Sequence, residues 1–216
     1  MNNKILIATA LFFNAYFLLS CDNANNKTTK NEIDSSMPHK MQMDNSMMQS
    51  LNSTMGKMNE MKMTGDFDLD FVNMMIIHHQ AAIDMSEVEI AKGADAQMKT
   101  MAQNIVTAQK AEIEQMHQFV KNYKNPEAKN MNGEIHHELG ETMKAMMDNM
   151  NSMKMTGNTD RDFAILMKSH HESAVKMAED ELAHGNQYEV KRTAQKMITN
   201  QSKEITDFKT WLSSRK

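Results

Sequence analysis

Cysteine is nearly absent from this chain of 216 residues, with Cys21 the single one. No disulfide can form within the chain, and no thiolate cluster can hold a metal. Proline and glycine are also scarce, at 2 and 7, and aromatics make up 6%. A chain with so few breakers is expected to be almost all helix. An excess of positive charge is missing too: the formal net charge is −4, which argues against nucleic acid as a partner. No Ser-His-Asp set, phosphate-binding glycine loop or reactive cysteine is visible, so hydrolase and nucleotide-binding readings have no support. Methionine is abundant instead, at 26 residues, several times a usual share.

The first 20 residues read as a targeting segment. Lys4 is a short positive region, Ile5 to Leu19 is apolar, and Leu18-Leu19-Ser20-Cys21 follows. That run suits a signal peptide better than a membrane span. A cysteine at its end resembles the bacterial lipoprotein signal, in which Cys21 is lipidated and becomes the new N-terminus. The expected location is therefore the cell envelope, with the protein lipid-anchored on a periplasmic or outer-membrane face. Removing residues 1–20 takes away Lys4 and no acid, which moves the charge from −4 to −5. Residues 21–45 lack periodicity and read as a disordered tether, although Met37, His39, Met41 and Met43 place soft donors within it.

The remaining residues, 46–216, are enough for one domain with a real core. They contain a duplication at an offset of 92 residues, with repeat 1 at about 47–123 and repeat 2 at about 139–215. Met-Met-Ile-Ile-His-His, at 74–79, maps onto Leu-Met-Lys-Ser-His-His, at 166–171. Each repeat opens on a Met-rich element, 47–63 or 141–155, ending in an identical Met-Lys-Met-Thr-Gly. The glycine there suits a left-handed stop. A histidine helix follows, with Asp68 and Asp160 as matched N-cap candidates, Asp70 and Asp162 in the first turn, and Gly93 and Gly185 as stops. Spacings of four and three pick out Phe71, Met75, His78, Ala82 and Met85, matched by Phe163, Met167, His170, Ala174 and Met177. That stripe predicts His78 and His170 facing the core, with His79 and His171 about 100° round on its shoulder.

A third helix, from about 95 to 123 and again from about 186 to 212, carries Ala102, Ile105, Gln109, Glu112 and Met116. Its copy carries Ala194, Met197, Gln201, Glu204 and Phe208. A buried carboxylate needs a partner, and the histidines are the obvious ones. Gln109, Glu112, Gln201 and Glu204 are thus expected to brace the imidazoles from behind. Two long antiparallel pairs make an all-α four-helix bundle with a pseudo-two-fold axis, plus extra Met-rich helices.

Donor type points to a soft metal. Thioether sulfur favours Cu(I), and by the same softness Ag(I), while imidazole suits several transition metals. The candidate ligands are Met75, His78, His79 and Met85 with Met167, His170, His171 and Met177. A second set is Met58, Met61 and Met63 with Met150, Met153 and Met155, a Met-x-x-Met-x-Met pattern expected on helix surfaces. His136 and His137, between the repeats, are a further pair without a clear counterpart.

Asp-Phe-x-x-x-Met-x-x-His-His-x-x-Ala-x-x-Met, at 70–85 and 162–177, resembles a bacterial family long filed as a domain of unknown function, as does Gln-x-x-Glu-Ile at 109–113 and 201–205. The family includes the CopM-like periplasmic copper-binding proteins, and the resemblance covers about residues 66–213. It implies a ferritin-like four-helix bundle that binds copper through Met and His. Lys168-Ser169 departs from Ile76-Ile77, which makes the second helix less apolar and its site more open.

The resulting expectation is an exported lipoprotein, not an enzyme, that binds Cu(I) and Ag(I) for sequestration, tolerance or transfer. A copper exporter or metallochaperone is its candidate partner. One rival is a helical partner-binding domain whose methionines are only adaptable surface. The other is a di-iron redox enzyme using Glu114 with His117 and Glu181 with His184, a pairing that neither repeat copies.

Overall fold

The computed structural model describes residues 39–124 and 140–215, except 143, 147, 150 and 151, with side chains from residue 46 onward. Cys21, Met37, Met150, His136 and His137 lie outside the described residues. The helices are α1 (His39–Glu60), α2 (Phe67–Lys92), α3 (Ala96–Asn122), α5 (Thr159–His184) and α6 (Tyr188–Ser214). At the start of the second repeat, α4 is helical at 140–142, 144–146, 148, 149 and 152. The chain is thus an all-α bundle: α2 and α3 form one hairpin, α5 and α6 the other, and α2 packs on α5. Among the described residues no helix is long and apolar enough to cross a membrane.

Both predicted stripes are core. Phe71, Met75, His78, Ala82 and Met85, with their five counterparts, are each no more than 1% exposed. Helix α2 has α1, α3 and α5 around it, which is why burial extends beyond one stripe. His79 and His171 are accordingly not shoulder residues; both are fully buried.

The termini of these helices depart from the sequence reading. The N-caps of α2 and α5 are Asp66 and Asn158, whose side chains accept from Leu69 N and Arg161 N. Asp68 and Asp160 reach across to the other repeat instead. Asp160 accepts from Ala94 N and Asp95 N ahead of α3 (2.9 and 2.7 Å), and Asp68 accepts from Asn186 N and Gln187 N ahead of α6. Each therefore satisfies donors that a helix start leaves open, and ties the two halves together. Asp70 and Asp162 hold the preceding turns, accepting from Thr64 and Gly65 and from Thr156 and Gly157.

Gly65 and Gly157 adopt φ of +88° and +76°, as a left-handed stop requires, but they sit in the turn before the histidine helices. Helix α1 ends at Glu60, so Met61 and Met63 belong to that turn, as do Met153 and Met155 in the second copy. The Met-x-x-Met-x-Met pattern thus does not form a helix surface. Met58 is buried, Met61, Met153 and Met155 are half-buried, and Met63 is 41% exposed. Helix α1 opens at His39, inside the stretch that reads as a tether.

Candidate metal centre

The four buried histidines meet where α2 crosses α5. The rings of His78 and His170 stack with centroids 3.7 Å apart and planes tilted by 34°. These two residues occupy equivalent positions, so the pseudo-two-fold axis passes between them. His79 and His171 flank the stack, their ring centroids 6.5 and 6.1 Å from His78 and His170. Met75, Met85, Met167 and Met177 belong to the same buried core.

The glutamates of the companion helices brace the outer histidines, not the stacked pair. His79 Nε2 and Glu112 Oε2 are 2.8 Å apart and hydrogen-bonded. His171 Nε2 and Glu204 Oε2 stand 2.9 Å apart but out of hydrogen-bond alignment. The glutamines do not perform the expected role: Gln201 has neither amide atom bonded, and the Gln109 oxygen has no partner. A cleft of about 900 Å³ between α3 and the start of α6 is lined in part by Glu112, while His79 itself is fully buried.

Burial sets the electrostatics of the stack. Desolvation, and then the neighbouring imidazoles, hold His78 and His170 well below the usual histidine range. Both rings are therefore neutral at pH 7, each with a lone pair free for a metal. His78 Nδ1, His79 Nδ1, His171 Nδ1 and both ring nitrogens of His170 are buried without a hydrogen-bond partner. Leaving such groups unsatisfied costs roughly 1–3 kcal/mol each. Among the described residues no three His, Cys, Asp or Glu side chains converge as a ready-made ligand set. A metal held here would thus need the thioethers to complete its coordination.

The structure also reveals two buried carboxyls that the sequence reading overlooked. Glu89 and Glu181, one turn beyond Met85 and Met177, are both 0% exposed. Glu89 lies against Asp160, and Glu181 against Asp68, each pair joining one repeat to the other. Burial, reinforced by the facing aspartate, pushes Glu89 up to about 8 and Glu181 up to about 9. Each carboxyl folds over the glycine that ends its helix, and a methyl group at Gly93 or Gly185 would collide with it. Continuing the four-residue step past Met85 leads to Glu89, which is the signal that could have found them.

The iron-site candidates do not assemble. Glu114 and His117 are exposed, Glu181 is taken up by Asp68, and the His184 ring lies 5.6 Å from Phe67.

Fold and site together define an internally duplicated helical bundle built round a stacked histidine pair. The chain belongs to the family described as Domain of unknown function (DUF305), whose model matches residues 18–120 and 68–212. Similar solved structures include CopM in the Cu(I)-bound form, 30% identical, with TM-score 0.51, covering 68% of this chain and 96% of that one. CopM in the Ag-bound form obtained by co-crystallization is also 30% identical, with TM-score 0.52 and the same shares covered. A putative secreted DUF305 protein from Streptomyces coelicolor, 21% identical with TM-score 0.54, covers 71% and 96% and shares the fold. Comparison with curated proteins gives no match.

Proposed function

We propose that this protein is an exported lipoprotein, anchored through Cys21, that binds copper, chiefly as Cu(I), and also Ag(I). Its role is sequestration, tolerance or handover to a copper exporter or metallochaperone. The observation that carries the reading is the set of buried, partnerless imidazole nitrogens at the α2–α5 crossing, on helices whose Met75, Met85, Met167 and Met177 are also buried. Such a cluster is costly as mere core, and its neutral imidazole and thioether donors suit a soft monovalent ion. CopM, which shares the fold and nearly a third of its residues, has been solved with Cu(I), Cu(II) and Ag bound.

Met75, His78, His79, Met85, Met167, His170, His171 and Met177 are the proposed primary donors. Glu112 orients His79 through its hydrogen bond, and Glu204 stands 2.9 Å from the His171 ring nitrogen. Met63 is the exposed thioether available for first capture. Anaerobic titration of Cu(I) against a chromophoric competitor tests the reading. Uptake at micromolar metal, weakened when Met75, His78, Met167 and His170 are all changed to alanine, is the expected result. Absence of competition, or an unchanged affinity in that variant, overturns it.

A further inference from the structure

The two halves of the bundle are not equivalent at the stacked histidines. His78 Nε2 lies 2.9 Å from the Ser173 hydroxyl, and Met146 Sδ of α4 lies 2.9 Å from the same oxygen. That oxygen is also 2.6 Å from the His170 carbonyl. At the equivalent places of the first repeat, 92 residues earlier, stand Ala81 for Ser173 and Thr54 for Met146. His170 accordingly has no counterpart of this arrangement, and neither of its ring nitrogens is hydrogen-bonded.

One hydroxyl has one proton. The His170 carbonyl, the closest acceptor, competes for it with the Met146 sulfur and, in one tautomer, with His78 Nε2. At most one of these lone pairs is satisfied by Ser173. Nitrogen and sulfur each lie 2.9 Å from the oxygen, so they are separated by no more than twice that distance. A two-coordinate N–metal–S unit spans about 4–4.5 Å, taking zinc bond lengths as a guide.

The same spot opens outward. Ser173 and Met146 line a cleft of about 470 Å³ between α4 and α5, together with Asn149, Ser169, Glu172 and Lys176. Helix α4 docks there through polar contacts, Thr142 to Asp180 and Asn149 to Ser169.

We propose that Met146 Sδ and His78 Nε2 form a soft-metal site for Cu(I) or Ag(I) at the floor of the α4–α5 cleft. In it the metal displaces the Ser173 hydroxyl from between the two donors. The proposal deepens the copper-binding reading and rests on it. It makes the second repeat a side from which metal reaches the histidine stack, through a serine–methionine pair that Ala81 and Thr54 replace in the first.

The test uses the full chain with Ag(I), a redox-inert probe. Imidazole nitrogen resonances are followed by long-range proton–nitrogen correlation, and affinity is measured against a competitor. In the wild type the first equivalent of Ag(I) should shift His78 Nε2 before any resonance of His171. Met146→Leu keeps the side-chain volume and removes the sulfur, and it should weaken the first equivalent about tenfold or more. Ser173→Ala should bind at least as tightly as the wild type. Thr54→Met with Ala81→Ser should add a second early shift, at His170 Nε2. If the wild type binds Ag(I) but His78 is unmoved, or Met146→Leu binds identically, this site is wrong while the copper-binding reading stands. If the wild type takes up neither Ag(I) nor Cu(I), the broader reading fails first.

Discussion

Raising the pH from 7 to 9 should destabilise the domain, because Glu89 and Glu181 hold protons that the unfolded chain gives up. Both carboxyls have an ordinary value of 4.5 in the unfolded chain and are pushed up in the fold, to about 8 and about 9. A raised carboxyl means that the native state binds the extra proton, so stability falls as pH rises between the two values. Each group shifts the folding equilibrium tenfold per pH unit within that window. From pH 7, Glu89 contributes about one such unit and Glu181 about two, together up to about 4 kcal/mol. That is a large share of the roughly 5–15 kcal/mol by which a domain is stable. The alkaline side isolates the effect, since His78 and His170 are neutral there in both states. Below pH 6.5 their lowered values work in the opposite direction, because unfolding lets them take up protons, and the two trends oppose each other down to about pH 4.5.

Urea unfolding at pH 7, 8 and 9, with the slope of free energy on urea held in view, reads the change directly. Glu89→Gln combined with Glu181→Gln replaces each protonated carboxyl by a neutral group of the same shape and should flatten the profile. A wild-type midpoint that holds or rises between pH 7 and 9, or a double variant with the wild-type slope, would refute the reasoning.

Three further outcomes follow from the geometry. Gly93→Ala or Gly185→Ala forces a methyl group into the buried glutamate, and should cost about 1–3 kcal/mol in thermal or urea unfolding. Glu112→Ala strands His79 Nε2 in the core and should cost about 1–3 kcal/mol, with Glu112→Gln costing less; both are read by the same assay. Asp160→Ala removes the acceptor for two backbone N–H groups at the start of α3. It should destabilise by about 1–2 kcal/mol and raise amide exchange at Ala94 and Asp95.

Much of this fold is legible in the sequence, because period and repetition are local properties. The Phe-Met-His-Ala-Met stripes and the ends of α2, α3, α5 and α6 emerge within two residues of their places. What was hidden depends on which helix lies beside which. Asp68 and Asp160 look like caps of their own helices, yet they serve the helix starts of the opposite repeat. His79 and His171 sit off the stripe, but α2 is enclosed by three helices, so a second face is buried as well. Gln109 and Glu112 repeat alike in the sequence, and only the carboxylate turns out to reach an imidazole. Met61 and Met63 continue a helical pattern that stops at Glu60, because the turn held by Asp70 intervenes.

The central claim is that the buried imidazoles of α2 and α5, with their thioether neighbours, hold a soft metal ion. Anaerobic competition for Cu(I) between the full chain and a chromophoric chelator measures this most directly, with the Met75/His78/Met167/His170 alanine variant beside it. The account predicts that the wild type withdraws Cu(I) from the chelator at micromolar metal and that the variant does so markedly less. A wild type that leaves the chelator fully loaded, or a variant that competes equally well, would contradict it.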